Sequence, residues 1–460
     1  MKNVLLINPP SPFLLDDRTF PALGILTVAA ELKRLGIETE VLDLAGREDY
    51  LAELRIWLGM NHYPKGASFA ITANTPQMPY VYRILQGIRD FRAGAEVIIG
   101  GPHASFAPQH CLKLGFSQVV MDDGVEGVRQ LVAGNKEKIV RGKLIHLDEY
   151  PLPARDAIDM SSYHYILPGT DLPATNVMGS QGCPYRCSFC SGREISFYRK
   201  YRTRSPNHIL EELDFLDNYY GLRAFQFYDD EVNIQKDWLI ALCEAIAFRG
   251  YKWRAFIKAN LFDDPTARAM AKAGCVEVCT GVESGSDRIL KEIIQKETSY
   301  AINREARWVA KRHGIRFKAF CMVGNPSETR EDIELTKKWL LEAKPDDFDM
   351  TILSPMPGSP IYDRAFPDEI RRDFEVTSFP DFQLDFKPRD FAQEASYYKT
   401  VPGEYKSWTA TPTLSSEDLE QIRDQIDTEV RSELGLPAIS RQDISPFEHS
   451  YGQGPPPARD

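Results

Sequence analysis

The chain has 460 residues, 43% of them apolar and 26% charged, enough for two or three domains with their own cores and the balance of an ordinary globular protein. Its net charge of −11 works against a broad grip on nucleic acid or an anionic membrane. Eight cysteines in a chain this long do not make a disulfide framework, and no apolar run approaches the roughly 18 residues of a spanning helix, so a soluble protein of the reducing cytoplasm is expected.

Residues 1–135 alternate strand and helix. Val4, Leu5, Leu6 and Ile7 read as a buried parallel strand that stops at Asn8-Pro9-Pro10, and Ile25, Val28, Ala29 and Leu32 lie on one face of a helix ending near Gly36. Further strands are expected at 40–44, 69–72, 96–99 and 118–121, with a helix around 80–91. Such alternation predicts an open, doubly wound parallel sheet of the Rossmann-like kind, which binds ligands at the carboxyl ends of its strands. At those ends stand Asn8 and Pro9, Asn74 and Thr75, Gly100-Gly101-Pro102-His103, and Asp123-Gly124-Val125-Glu126. The first loop lacks G-x-G-x-x-G, which argues against a dinucleotide. Gly100 and Gly101 either let a large planar ligand approach the backbone or simply make a tight turn.

Residues 136–173 carry Pro151, Pro153, Pro168 and Pro173 with little periodicity and read as a linker. From 174 to 360, strand and helix alternate six times, with strands expected at 175–179, 223–228, 253–258, 276–282, 315–323 and 349–354. A partial (β/α)6 barrel follows, its site at the carboxyl ends of the strands. Alternation along the strands turns Gln226, Tyr228 and Asp230 inward, then Glu277, Cys279, Gly281 and Glu283, then Arg316 and Lys318 with Phe320, Met322 and Gly324. So polar an inner face suits a charged ligand, because burying unpartnered polar groups is costly.

After the first of these strands comes Gly182-Cys183-Pro184-Tyr185-Arg186-Cys187-Ser188-Phe189-Cys190, three thiols spaced C-x3-C-x2-C. Three thiolates so spaced suit one face of a metal cluster and leave one metal without a protein ligand, an open position for chemistry. The plainer alternatives are half of a zinc site, which would want a fourth ligand, or three unrelated thiols. Cys111, Cys243, Cys275, Cys279 and Cys321 lie in apolar stretches and read as buried. Residues 361–460 form a smaller C-terminal region: aromatics such as Phe379, Phe382, Phe386, Tyr397, Tyr398 and Trp408, a helix from about Ser416, and a proline- and glycine-rich tail from 445 that reads as disordered or as a strap.

The cysteine loop, with Phe189 as its aromatic member, resembles that of the radical S-adenosylmethionine (SAM) enzymes. "NPP", the Pro21-Ala22-Leu23-Gly24 stretch and "IIGGPH" resemble the cobalamin-binding domain that precedes the radical domain in their cobalamin-dependent branch. The resemblance spans roughly residues 1–355. It implies a 4Fe–4S cluster on Cys183, Cys187 and Cys190, with SAM chelated to the fourth iron. It implies SAM contacts from Phe189, Tyr228, Asp230, Lys258, Glu283, Ser284 and Gly324, the last three within turns similar to the family's G-x-E-S-G and G-x-P-x-E-T. It also implies cobalamin held by Asn8, Pro9, Asn74, Thr75, Gly100, Gly101, Pro102, His103, Gly124 and Glu126. The chain departs from the pattern in Asp123-Gly124-Val125-Glu126, where G-E-G-E is frequent, in Asn325 and Ser327, and in Lys258, where arginine is frequent. It has no D-x-H-x-x-G, so no histidine ligand to cobalt is implied. The expected activity is methylation of an unactivated carbon of a small molecule through a 5′-deoxyadenosyl radical and methylcobalamin, with flavodoxin or ferredoxin as electron donor. The alternatives are a cyclisation or rearrangement without methyl transfer, and a non-catalytic iron–sulfur protein.

Overall fold

Four consecutive apolar residues, Val4, Leu5, Leu6 and Ile7, cannot alternate between core and solvent, so both faces of their strand must be covered. They form β1 (Asn3–Asn8), an inner strand of a parallel sheet. The computed structural model describes residues 2–11, 17–60, 66–354, 359–361, 403, 407 and 409–439. These fall into two compact units that divide between His164 and Tyr165.

In the first unit β1 is followed by α1 (Leu23–Arg34), β2 (Glu38–Asp43), α2 (Tyr50–Met60), β3 (Ser68–Thr72), α3 (Met78–Phe91), β4 (Glu96–Gly100), α4 (Pro102–Phe106), α5 (Pro108–Lys113), β5 (Gln118–Asp122), α6 (Gly124–Val132) and β6 (Ile139–Gly142). The order is β2-β1-β3-β4-β5-β6, every pair parallel. Leu5, Ile7 and Phe69 pack against Val81, Ile84 and Ile88 on one face. Val4 and Leu6 pack against Ile25, Leu26, Ala29 and Leu32 on the other. Strand order reverses between β1 and β3, the switch point at which such sheets take their ligands.

Two features differ from the sequence reading. The linker expected from residue 136 starts with a sixth strand, β6, which places buried Val140 beside β5. Its next stretch, to residue 164, belongs to the first unit: Ala154 N–H donates to Leu26 O at 3.1 Å, and Tyr163 Oη donates to Asp43 at 2.7 Å. Prolines there mark changes of direction on a surface rather than a free tether. Helix α2, with Tyr50, Leu54 and Leu58 buried along one face, was not anticipated.

The second unit begins with β7 (Tyr165–Ile166) and β8 (Pro173–Val177), then a short ladder of β9 (Ser180–Gln181) and β10 (Arg202–Thr203). After it come α7 (Pro206–Tyr220), β11 (Ala224–Phe227), α8 (Lys236–Ile246), β12 (Lys252–Phe256), α9 (Asp264–Lys272), β13 (Cys275–Glu283), α10 (Tyr300–Arg312), β14 (Arg316–Val323), α11 (Arg330–Ala343), β15 (Asp347–Ile352) and α12 (Ser416–Leu434). The order β15-β14-β13-β12-β11-β8-β7 makes a curled half-barrel, parallel except for β7. Val177, Phe225, Phe227, Trp253, Ala255, Val278, Val282, Phe317 and Ala319 face the helices in one core. The opposite face is polar, with Asn176, Gln226, Arg254, Glu277 and Arg316 in register across five strands. Arg254 and Arg316 both pair with Glu277, at 3.1 and 3.2 Å.

Cys111, Cys243, Cys275 and Cys321 sit in apolar clusters. Cys279 does not. Strand alternation puts it on the polar face, where Arg254 Nη2 donates to its sulfur at 2.6 Å. The aromatics Phe379 to Trp408 named above and the tail from 445 lie outside the described residues.

Candidate functional site

The cysteine loop leaves β8 under close control. Asp229, 2% exposed, accepts from Gly179 N–H at 2.8 Å and from Ser180 Oγ at 2.6 Å, and Asp230 accepts from Gly182 N–H at 3.0 Å. Gly182 has φ +93°, and a Cβ there would lie 2.5 Å from Lys200 O, so only glycine makes this turn. Cys183 N–H then donates to Tyr198 O at 2.7 Å, and Cys190 N–H to Cys187 O at 3.2 Å. None of the three thiols is in a disulfide; Cys183 and Cys187 are partly buried and Cys190 is exposed. Burial pushes the Cys183 thiol up to about 12. It raises the Cys187 thiol too, although Lys296 and Lys258 pull that one back.

Among the described residues no three His, Cys, Asp or Glu groups converge on a point that would hold a single metal ion. The ligands of an iron–sulfur cube sit on separate irons and need not converge. Three thiols on one tightly shaped loop, with two cations acting on the middle one, fit an anionic cluster.

Beside the loop, Lys258 is 1% exposed, and its Nζ lies 3.5 Å from the centre of the Tyr185 ring, with no hydrogen-bond acceptor among the described residues. Glu231 Oε2 is likewise buried without a partner. Burial raises the Glu231 carboxyl, against the pull of Lys296 and Lys258. At the end of β13 the backbone bulges between Gly281 and Glu283, and Glu283 takes φ +63°. Lys296 Nζ donates to Gly281 O at 2.6 Å and to Glu283 Oε1 at 2.7 Å. Burial alone would lower the Lys296 ammonium, but Glu283, Cys187 and Glu231 hold it above the usual lysine range.

Phe189 packs on Met322, Leu353 and Ile361 and on Ile289, Leu290 and Ile294. It therefore stands beside the end of β14, where Gly324 turns with φ +80°. Asp230 is exposed, and the protein around it raises its carboxyl, against the hydrogen bond from Gly182 N–H. Tyr228 is 44% exposed and Ser284 fully buried. The Ser284 hydroxyl is used inside its own turn, accepting from Ser286 N–H at 3.1 Å and meeting Thr336 at 3.3 Å. Tyr185, Glu231 and Lys296 were not singled out in the sequence. Glu231 continues the acidic run after β11, a signal that was available, whereas no spacing rule ties Lys296 to Glu283.

In the first unit the residues expected at the ligand edge all lie at or just beyond the carboxyl ends of β1, β3, β4 and β5. Many of their side chains serve the edge itself. Asn8 donates to Asp43 at 2.9 Å, and Gln77 donates to the carbonyls of Pro9 and Pro10 at 3.3 and 3.4 Å. Asn74 caps the turn at Thr75. Gly101 has φ +95°, and a Cβ there would press on Ala73 O and Thr72 Oγ1 at 2.9 Å. Pro102 opens α4, and Asp123 caps α6 ahead of Gly124. Glu126 accepts from Lys143 N–H and Gln130, each at 2.7 Å. Both ring nitrogens of His103 are engaged, by Thr75 and His110 at 3.1 Å, and burial drives its pKa down to about 3, so it is a neutral, buried ring. What these strand ends offer a ligand is mostly backbone and small groups at Ala73, Gly100, Gly101 and Gly124, which fits a broad, largely neutral molecule.

Two family models match the chain, the B12 binding domain over residues 17–132 and the Radical SAM superfamily over residues 177–340. The chain thus carries a B12 binding domain followed by a Radical SAM domain, the order of the cobalamin-dependent radical SAM enzymes it resembles. A Pyrococcus horikoshii protein named an uncharacterised methyltransferase is 27% identical over 443 residues, 90% of this chain and 94% of the relative. The anaerobic magnesium-protoporphyrin IX monomethyl ester cyclase of Cereibacter sphaeroides is 26% identical over 68% of this chain, which spans only 55% of that enzyme. Among solved structures, the radical SAM methyltransferase TsrM of Kitasatospora setae superposes with a TM-score of 0.66 at 17% identity, over 85% of this chain and 81% of its own. That likeness extends to the fold: a parallel sheet followed by a half-barrel.

Proposed function

We propose that this radical SAM protein is a cobalamin-dependent methyltransferase that methylates an unactivated carbon of a small-molecule substrate. In this reading the first unit holds cobalamin, and the second holds a 4Fe–4S cluster on Cys183, Cys187 and Cys190 together with SAM. The observation that carries it is the pair of buried, unsatisfied groups beside the cysteine loop, Lys258 Nζ and Glu231 Oε2. A buried ammonium and a buried carboxylate oxygen without hydrogen-bond partners are costly unless a ligand supplies them, and an amino-acid zwitterion such as the methionine end of SAM brings both complements.

When bound, cluster and SAM supply a carbon-centred radical, and cobalamin supplies a transferable methyl group. The protein's share is binding and exclusion. Lys258 meets a carboxylate, while Glu231 and Asp230 meet an ammonium. Glu283, fixed by Lys296, would stand beside them with Tyr228, and the buried Ser284 would hold the turn that follows Glu283. Phe189, Met322 and Gly324 offer an apolar edge for a purine. At the first unit Asn8, Pro9, Asn74, Thr75, Gly100, Gly101, Pro102, Gly124 and Glu126 would shape a strand-end surface for the corrinoid, and His103, with both ring nitrogens engaged by Thr75 and His110, would serve that surface as a neutral ring. A closed, dry site protects a radical from quenching.

Cyclisation or rearrangement is the second reading, favoured by the similarity to the cyclase. A flavodoxin or ferredoxin is the natural electron donor in either case. Among the described residues no helix is long and apolar enough to cross a membrane, and a reducing cytoplasm suits the free thiols.

Anaerobic reconstitution with iron, sulfide, SAM, dithionite and hydroxocobalamin tests the proposal. It is expected to give 5′-deoxyadenosine, S-adenosylhomocysteine and a product heavier by one CH2. A product without that mass gain selects the second reading, and a cluster that never yields 5′-deoxyadenosine leaves only an iron–sulfur carrier. Replacing Cys183, Cys187 and Cys190 by alanine is expected to abolish iron uptake and 5′-deoxyadenosine together.

A further inference from the structure

Ser188 lies between the second cluster cysteine and Phe189, and it is completely buried. All three of its polar groups are used, two on one turn of the second unit and one on another segment. Its N–H donates to Ile294 O at 2.8 Å, and its carbonyl accepts from Ile361 N–H at 2.9 Å. Its hydroxyl donates to Ile293 O at 2.9 Å. The carbonyls of Ile293 and Ile294 are available because they close a single π-helical turn, Ile289–Ile293, and the last carbonyls of a helix have no partner inside it. Such turns interrupt regular helix mostly where a local geometry is needed.

The same turn is tied to β13. Lys296 N–H donates to Leu290 O at 2.8 Å, and its ammonium holds Gly281 O and Glu283 Oε1 at 2.6 and 2.7 Å. Gly281 has no side chain because a Cβ would occupy the space of the Glu283 carboxylate and the Lys296 ammonium. The excursion from Glu283 to Lys296 thus begins and ends on the strand end that borders the proposed SAM site, and its middle grips the cysteine loop through Ser188.

We infer that Ser188 is a positioning residue that holds the cluster-bearing loop in register with the Glu283 turn, so that occupancy of the turn is transmitted to the cluster. The inference rests on the cluster and SAM assignment above. Removal of the hydroxyl by Ser188→Ala leaves both backbone bonds in place and loosens only the link to Ile293. One intramolecular hydrogen bond corresponds to about a fivefold change in an equilibrium constant, so SAM affinity is expected to fall by up to about fivefold, according to how far the bond tightens when SAM is bound.

The test uses the full chain, reconstituted without oxygen, with iron content, SAM affinity and the electron paramagnetic resonance spectrum of the reduced cluster as readouts. Ser188→Ala is expected to bind as much iron as the unaltered protein and to give the same spectrum without SAM, but a smaller spectral shift when SAM is added. Thr170→Val serves as control: it removes a hydroxyl-to-carbonyl bond to Leu167 O at 2.8 Å, and with it the bond from Leu172 N–H at 3.2 Å, at the opposite end of the half-barrel, and is expected to leave the shift intact. Equal shifts and affinities in Ser188→Ala and the unaltered protein overturn the inference. So does loss of iron in Ser188→Ala in proportion to its loss of stability, which is a structural role only. Absence of a four-iron cluster from the unaltered protein removes the functional reading first and the inference with it, and iron content alone tells that case from the others.

Discussion

At Gly281 the identity of one residue is imposed by two others. A Cβ there would displace Glu283 Oε1 and press Lys296 Nζ at 2.5 Å, so this buried ion pair would have to shift from its place at the end of β13. Gly281→Ala is therefore expected to destabilise the fold by about 1–3 kcal/mol, as overpacked sites do, and to weaken SAM binding; urea melts and equilibrium dialysis would show both. Glu328 makes the second residue-level case. It is fully buried and accepts from Asn325 N–H at 2.9 Å, and burial pushes its carboxyl from 4.5 up to about 7. Its folded pKa exceeds its unfolded one, so its contribution is fully present below pH 4.5 and is lost as pH rises through about 7. Between those values stability is expected to fall by about 3 kcal/mol, and Glu328→Gln is expected to remove that slope. Denaturation of both proteins at pH 4.5, 6 and 8 decides it; parallel profiles would count against the assignment.

Among the elements, α12 shows how the half-barrel ends. β15 is the last strand of its sheet, and an open edge leaves backbone groups unpaired. Arg423 Nε donates to Met350 O at 3.0 Å and Arg431 Nη2 to Phe348 O at 2.6 Å, so two buried arginines from the helix satisfy carbonyls of that edge. Arg431 also holds Asp427 at 3.1 Å and Asp347 at 3.2 Å. Arg431→Met is expected to cost roughly 3 kcal/mol, because Asp427 would be left buried and unpaired; a drop in the urea midpoint measures it. The apolar face of this helix was legible as Leu419, Ile422, Ile426 and Val430 at helical spacing, and all four lie in the core. The edge-capping arginines were not legible, since a charged residue on a helix reads as solvent-facing until its neighbours are known. The sixth strand of the first sheet escaped for a related reason. Four residues with one glycine carry little periodic signal, and pairing with β5 is what makes Ile139–Gly142 a strand.

On the scale of the whole chain, the proposal gives each cofactor its own unit, and their loss is expected to be separable. The Cys183, Cys187 and Cys190 alanine variant should lose iron yet carry hydroxocobalamin through gel filtration as the unaltered protein does; free corrinoid in both cases would remove cobalamin from the account. The sequence by itself determined the two β/α units, the polar inner face of the second and the thiol triplet after its first strand, because strand alternation, helical spacing and a short motif are written in neighbouring residues. Only the tertiary structure decided that Glu231 and Lys296 join Lys258 beside that triplet, that His103 is sealed between Thr75 and His110, and that Ser188 ties the loop to a turn beyond β13. Those groups come from separate strand ends with no fixed spacing between them, and their partners are chosen by the curl of the sheet rather than by anything local to the chain.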